Sequence, residues 1–223
     1  MATITTSTYY QYRKQQGYLD MASDTLKAVL MDVDFSHDRD KHKAMEAPEW
    51  SADTYYSEGD TVIPANSADL GYIMICIDHG SGVEGQSGSS EPNWPVNETD
   101  PFGNTVADGD LIWEVWSYDA SLEEITSAGG YVRQTLTQDE TGAGSFEDEV
   151  NNSAYQAYDD LRFEADSEGF DEVNGCIIYD ESDPQKTIIA GVQFDSSFTI
   201  SGGNYLELKD PKVEDISKQT TIE

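Results

Sequence analysis

Gly71-Tyr72-Ile73-Met74-Ile75-Cys76 and, farther on, Asp108-Gly109-Asp110-Leu111-Ile112-Trp113-Glu114-Val115-Trp116 are short apolar runs, each opened by a glycine-bearing turn. With Asp60–Pro64 they form a series separated by clusters of Gly, Ser, Pro and Asn. That spacing predicts a small all-β module built from hairpins. Working outward, the surrounding stretch from Trp50 to Trp116 holds all four tryptophans of the chain and none of its 12 Lys and Arg residues. Side chains alternate along a strand, so Trp113 and Trp116, three apart, are expected on opposite faces, as are the neighbours Tyr55 and Tyr56.

The order of residues in this stretch carries a resemblance. Trp50, then Tyr55-Tyr56, Gly59-Asp60-Thr61-Val62, Gly71-Tyr72, Gln86-Ser87-Gly88, Glu91-Pro92-Asn93-Trp94-Pro95, Asp108-Gly109 and Trp113 resemble the small chitin- and cellulose-binding modules, especially the version inserted into tailed-virus structural proteins. Such modules use aromatic rings because the flat C–H faces of sugars bury well against Trp and Tyr while polar neighbours bond the hydroxyls. The resemblance implies contact with host surface glycans, and Trp50, Tyr56 and Trp94 are the candidate glycan-binding residues. Trp94 sits in a proline-flanked loop, where burial is hard to arrange. The competing reading is that these rings are simply the core of a small module.

Strand patterns flank the stretch on both sides. Leu26, Ala28 and Leu30 alternate, and Val33 and Phe35 follow with a change of face, which predicts a strand over residues 24–35 with a bulge. Before it, Ser7–Met21 reads as a short helix capped by Ser7 or Thr8 and weakened by Gly17. After the stretch, strands are predicted at Tyr131–Leu136 and Tyr155–Phe163. Gly175–Asp180 pairs with Thr187–Asp195 as a hairpin, and a last hairpin runs through Phe198–Ile200, Gly202-Gly203-Asn204 and Tyr205–Leu208. A lone early strand makes no sheet, so it is expected to pair with the C-terminal strands. The fold class is therefore all-β: a discontinuous β-sandwich host over 1–47 and 118–210, an inserted module over 48–117, and a loose tail over 211–223.

The charge balance bounds the partners. With 44 Asp and Glu against 12 Lys and Arg, the formal net charge is −32, which argues against binding nucleic acid or an anionic membrane. The acids are spread among apolar patterns and not gathered in a block, as in a folded protein adapted to concentrated salt. There, screening confines self-repulsion to about 3 Å at 1 M. The two cysteines, Cys76 and Cys176, lie far apart with no metal-ligand spacing and read as buried thiols, an inter-domain disulfide being the alternative. No basic-then-apolar leader opens the chain and no run approaches a membrane span, so synthesis in a cytoplasm is expected.

The flanks carry a second resemblance. Asp24-Thr25-Leu26-Lys27-Ala28-Val29-Leu30-Met31, Gly129-Gly130-Tyr131, Leu161-Arg162-Phe163-Glu164, Gly175-Cys176-Ile177-Ile178-Tyr179-Asp180 and Ile189-Ala190-Gly191-Val192-Gln193-Phe194-Asp195 are similar in order and spacing to a family of tailed-virus virion proteins of β-sandwich type. The departure is Gly129-Gly130-Tyr131, followed closely by the charged Arg133, where relatives show a longer Gly-Thr-Gly-Tyr. The resemblance implies a virion component that acts with other virion proteins and as a homo-oligomer. A capsid-surface decoration or turret is the first expectation; a tail or tail-fibre subunit, or a shell-stabilising protein that binds no glycan, is the alternative.

No cofactor, metal or enzyme activity is expected. Asp32, Asp34, Asp38 and Asp40 lack the turn glycine of a calcium loop, and Lys43 stands where its closing Glu would be. His37, His42 and His79 have no zinc-ligand spacing. Nucleophile-elbow, phosphate-loop and His-Glu-x-x-His motifs are missing. An acidic pair acting on glycans stays open among so many carboxylates.

Overall fold

A computed structural model of the chain describes residues 3–20, 23–66, 71–82, 84–97, 99–126, 128–137, 145–148, 153–209 and 212–215. The fold is all-β. Its strands are β1 Thr3–Thr6, β2 Leu26–Met31, β3 Tyr55–Tyr56, β4 Thr61–Val62, β5 Tyr72–Asp78, β6 Gly85–Gln86, β7 Thr105–Asp108 and β8 Leu111–Tyr118. They continue as β9 Gln134–Thr135, β10 Ser145–Asp148, β11 Ser153–Ala157, β12 Leu161–Glu164, β13 Phe170–Asp180, β14 Ile188–Ile200, β15 Tyr205–Leu208 and β16 Lys212–Asp215. One α-helix, α1 Thr8–Gln15, follows β1.

The largest sheet has five strands in the order β1-β14-β13-β2-β9, all antiparallel. Both of its faces are covered, which explains the nearly unbroken apolar runs in β2, β13 and β14. Leu26, Ala28, Leu30, Cys176 and Ile178 point to one side, where Leu161 and Phe163 of β12, Tyr10 and Leu19 complete a core. Val29, Met31, Ile177 and Tyr179 point to the other, against Phe35, Met45 and Ala120 from connecting segments. β12 pairs with β15 as a separate ladder over the first face, giving a sandwich-like pair of layers. β10, β11 and β16 form a further three-stranded sheet.

Several local expectations need correction. β2 ends at Met31 and runs beside β13 without a register shift, from Leu26↔Asp180 to Met31↔Gly175. The change of face is thus the end of the strand: Asp34 N–H donates to Asp32 Oδ1 in a tight turn (2.9 Å), leaving Val33 exposed and swinging Phe35 back into the core. Residues 155–163 make two strands, β11 and β12, not one. Tyr131–Leu136 supplies only the two-residue β9. The last hairpin does not form, because β15 pairs with β12 (Leu161↔Leu208) while Phe198–Ile200 continues β14 along β13. Part of the supposed loose tail is strand, since β16 pairs with β11; residues 216–223 lie outside the described residues. β1, paired with β14, was not anticipated.

The chain leaves the five-stranded sheet after β2 and rejoins it at β9, the neighbour of β2. Between the two, β4-β5-β8-β7 form a four-stranded antiparallel sheet whose members pair only with one another among the described residues, and β3 pairs with β6. Trp113 and Trp116 do lie on opposite faces of this sheet. Trp113 packs with Trp50, Val62, Met74, Cys76, Trp94 and Leu111, whereas Trp116 packs with Ile73 and Ala44 toward Tyr9 of α1. Tyr9 meets Trp116 edge-on at 4.7 Å between ring centroids. The two sheets are further joined at Ala44, which bridges both Asp119 and Thr187, and at the buried Ser117, whose hydroxyl accepts the N–H of Lys43 at 2.9 Å. Cys76 and Cys176 are both buried free thiols.

Candidate functional site

The three sequence-predicted glycan-binding residues do not make an exposed face. Trp50 is 7% exposed and donates its indole N–H to Asp108 Oδ2 at 2.9 Å; Trp113 donates to the same oxygen at 3.0 Å. Asp108 Oδ1 takes the N–H of Gly88 at 2.8 Å, so one buried carboxylate ties three segments together. Trp94 is 3% exposed, its indole N–H donated to Glu91 Oε1 at 2.7 Å and its ring edge-on to Trp113. Tyr56 is half-buried, lies edge-on to Trp113 at 5.1 Å, and accepts the N–H of Ser51 at 3.1 Å; burial pushes its hydroxyl pKa up. At the positions expected to form a ligand platform, Trp50, Tyr56 and Trp94, each ring is packed and the polar atom of each is already bonded. The physical reason is that carboxylates within the same unit, Asp108 and Glu91, satisfy the indole N–H groups and so permit burial.

Exposed rings include Tyr55 beside Tyr56, and a pair that shares a cleft. Tyr12 is 55% and Tyr18 is 63% exposed, and both line a cleft of about 760 Å³ between α1, the turn after β13, and the β4–β5 side of the second sheet. Its other walls include Tyr9, Arg13, Asp24, Glu58, Asp60, Ile77, Asp180, Asp183 and Gln185.

Local sequence sets the two rings. Ser7 at the N-cap is extended but makes no side-chain cap bond. The other end is better defined. Gly17 takes φ +76°, its N–H reaching Lys14 O (3.0 Å) while Tyr18 N–H reaches Arg13 O (3.1 Å), which is the paired closure of a Schellman motif. The glycine that weakened the helix reading is the residue that ends the helix and turns Tyr18 back along it. Arg13 lies over the Tyr18 ring at 4.4 Å. Tyr12 stacks against Tyr9 at 5.9 Å.

Around these rings the cleft is cross-braced. Tyr9 hydroxyl donates to Gln185 Oε1 (2.7 Å), and Gln185 Nε2 donates to Gly59 O, which spans from the first sheet to the second. Arg13 Nη2 is held by Asp183 Oδ1 at 2.7 Å, and the other oxygen of Asp183 accepts the Thr187 hydroxyl. Asp180 Oδ1 accepts the N–H of Ser182 (2.7 Å) and of Asp183 (3.2 Å), shaping the turn. Burial, with Asp24 alongside, pushes the Asp180 carboxyl up to about 6, and burial pushes the Tyr9 hydroxyl up to about 12.

Electrostatically the cleft is acidic: its one guanidinium, that of Arg13, is paired with the buried Asp183, Asp180 is buried in its turn, and Asp24, Glu58 and Asp60 complete the carboxylates of the wall. It repels anions and offers mostly acceptors. Sequence reading missed it because its walls come from residues 9–18, 24, 58–60, 75–77 and 180–185. One signal was present: Tyr9, Tyr10, Tyr12 and Tyr18 crowd into the first helix and its cap, more aromatic surface than so short a helix can bury. No protein-family model, no curated protein and no solved structure matches this chain.

Proposed function

We propose that the chain is a structural component of the particle of a tailed virus that infects a halophile, carried in several copies on the capsid surface as a decoration or turret. The observation that carries this reading is the chain path. A sandwich-like sheet is assembled from the N-terminal and C-terminal parts of the sequence, and a compact Trp-rich sheet is held between its neighbouring strands β2 and β9. In this reading the first is the attachment body and the second a unit carried on it, packed against it at Ala44, Ser117 and the Tyr9–Trp116 contact, which fits the resemblance of the flanking motifs to β-sandwich virion proteins. The net charge of −32 supports the halophilic setting.

Burial of all four tryptophans favours a particular version of the role. The displayed unit stiffens or shields the shell and is not an adhesin working through its tryptophans. Placement in a tail or fibre is the rival position within the particle. Gradient-purified particles analysed by mass spectrometry and by antibody labelling in the electron microscope test the proposal. The chain should travel with the major capsid protein at fixed stoichiometry and label the head; label on the tail selects the rival placement. Recovery only in the particle-free lysate overturns the virion role.

A further inference from the structure

We propose that the cleft between α1 and the second sheet is a saccharide-binding site, in which Tyr12 and Tyr18 stack against a short neutral oligosaccharide. This goes beyond a structural role in a particle and depends on the cleft alone.

Three observations meet there. The first is exposure with restraint. A tyrosine over half exposed loses hydrophobic stabilisation unless something covers it, yet both rings are held in place from behind: Tyr12 against Tyr9, Tyr18 against Arg13, and Arg13 in turn by Asp183. Rings fixed before binding lose little side-chain entropy when a ligand arrives. The second is size, since about 760 Å³ falls within the roughly 300–1,000 Å³ of clefts that hold small ligands. The third is polarity. Apart from Arg13, Gln185 and the Cys76 thiol, the polar side chains of the wall are carboxylates, serine and tyrosine hydroxyls; with Asp180 and Asp183 buried and bonded within the fold, Asp24, Glu58 and Asp60 are the carboxylates left to accept, so the matching ligand brings hydroxyl donors along with apolar C–H faces. Sugars combine those two properties.

Charge narrows the class. With Arg13 already paired to Asp183, the remaining carboxylates Asp24, Glu58 and Asp60 disfavour uronic, sialic or phosphorylated sugars, leaving neutral hexose chains. A basic peptide suits the charge and stacks on tyrosine faces by cation–π contact, so oligolysine is the rival probe on the array.

The test uses the full chain in 2 M KCl, as roughly the screening condition its charge calls for, on an array printed with neutral gluco-, manno- and galacto-oligosaccharides, sialylated and glucuronate-bearing glycans, and oligolysine. Neutral oligosaccharides should be retained and acidic ones not. Tyr12→Ala and Tyr18→Ala should each lower retention by about tenfold or more, as for aromatic anchors generally. Tyr55→Ala, an exposed tyrosine on the other unit, should leave it unchanged. Near-ultraviolet circular dichroism verifies that both variants remain folded, as expected for exposed positions. The proposal is overturned if no neutral glycan is retained, if the Tyr12→Ala/Tyr18→Ala double variant binds like the parent, or if oligolysine alone is held.

Discussion

Trp50 and Asp108 are joined by an indole N–H to carboxylate bond of 2.9 Å inside the Trp-rich unit, although they stand 58 positions apart in the chain. The same oxygen also serves Trp113, and the other oxygen of the carboxylate serves Gly88. Asp108→Ala would strand two indole donors and one backbone donor in the core at a combined cost of roughly 3–5 kcal/mol. Asp108→Asn keeps an acceptor for the indoles but turns an amide toward Gly88 N–H, and should cost about half as much. Urea unfolding in molar KCl, followed by tryptophan fluorescence, measures both; equal midpoints for parent and Asp108→Ala would show that the carboxylate ties nothing together.

How much of this was legible beforehand depends on the range of the interaction. Alternation told correctly that the fold is all-β, and that Trp113 and Trp116 face opposite ways, because the period of a strand is a local property. Pairing is not local. Tyr205–Leu208 sits next to a good turn after Ile200, yet it joins Leu161–Glu164, where Leu206 and Leu208 can pack over the first core. Gly202 and Gly169 let the crossing happen: a Cβ on Gly202 would lie 2.1 Å from Ser167 O, and one on Gly169 would lie 2.3 Å from Ile200 O.

The burial of the candidate rings was hard to read from sequence for a related reason. A tryptophan that stacks on sugar and one that anchors a core have the same composition around them. The deciding fact is whether a buried acceptor meets the indole N–H, and for Trp50 that acceptor is far away in sequence. Proline flanks around Trp94 suggested exposure, but Glu91, three positions before it, closes the loop onto the ring's N–H at 2.7 Å.

Asp180 makes the pH dependence testable. Its folded pKa of about 6 lies above the ordinary 3.8, so between those values the folded state holds a proton that the unfolded state has released. Folding is therefore favoured by this group at low pH, and the contribution is lost as pH rises through about 4 to 6. Asp180→Asn keeps an oxygen for the N–H groups of Ser182 and Asp183 and removes the buried charge. Its melting midpoint should exceed the parent's at pH 7.5 and the difference should shrink toward pH 4. A constant difference across that range would sink the assignment.

Arg133, the charged residue that breaks the resemblance after Gly129-Gly130-Tyr131, has a structural purpose. Its guanidinium bonds both oxygens of Glu124 (3.0 and 3.1 Å from Nε, 2.6 Å from Nη2), Glu46 at 3.0 Å and the Tyr179 hydroxyl at 2.9 Å. The connection entering the Trp-rich unit and the one leaving it are thus pinned to β13 by one side chain. A lysine cannot reproduce a fork of this kind. Arg133→Lys should cost about 1–3 kcal/mol and Arg133→Met more, because Glu124 then keeps only the Tyr131 hydroxyl at 2.8 Å. Chemical denaturation at constant salt decides, with an unchanged Arg133→Lys midpoint as the contrary result.

Gly17 links the fold to the cleft. Its φ of +76° is a conformation that a side chain resists, while a Cβ there would meet nothing within 4 Å. Gly17→Ala therefore tests backbone strain without a clash, at about 1 kcal/mol of stability. Since the turn also sets Tyr18, the same variant should weaken glycan retention with Tyr12 untouched. Normal retention together with lowered stability would mean that Tyr18 finds its place without the cap.

Finally, the net charge of −32 dictates a response to salt. With so few cations available for pairing, most of the carboxylates repel one another across the surface, and compaction brings them closer than they are in the unfolded chain. Raising KCl shrinks the screening length from about 10 Å at 0.1 M to about 3 Å at 1 M, so most of the benefit should arrive within that interval. The thermal midpoint should rise by about 10 °C or more across it, corresponding to some 3 kcal/mol for a chain of this size, and then climb slowly. Screening depends on ionic strength, whereas surface exclusion of salt favours sulfate over chloride. Matching rises in KCl and potassium sulfate at equal ionic strength would identify self-repulsion as the cause. A midpoint that stays level from 0.1 to 2 M KCl would remove the halophilic setting from the proposed role and leave the virion assignment resting on the chain path alone.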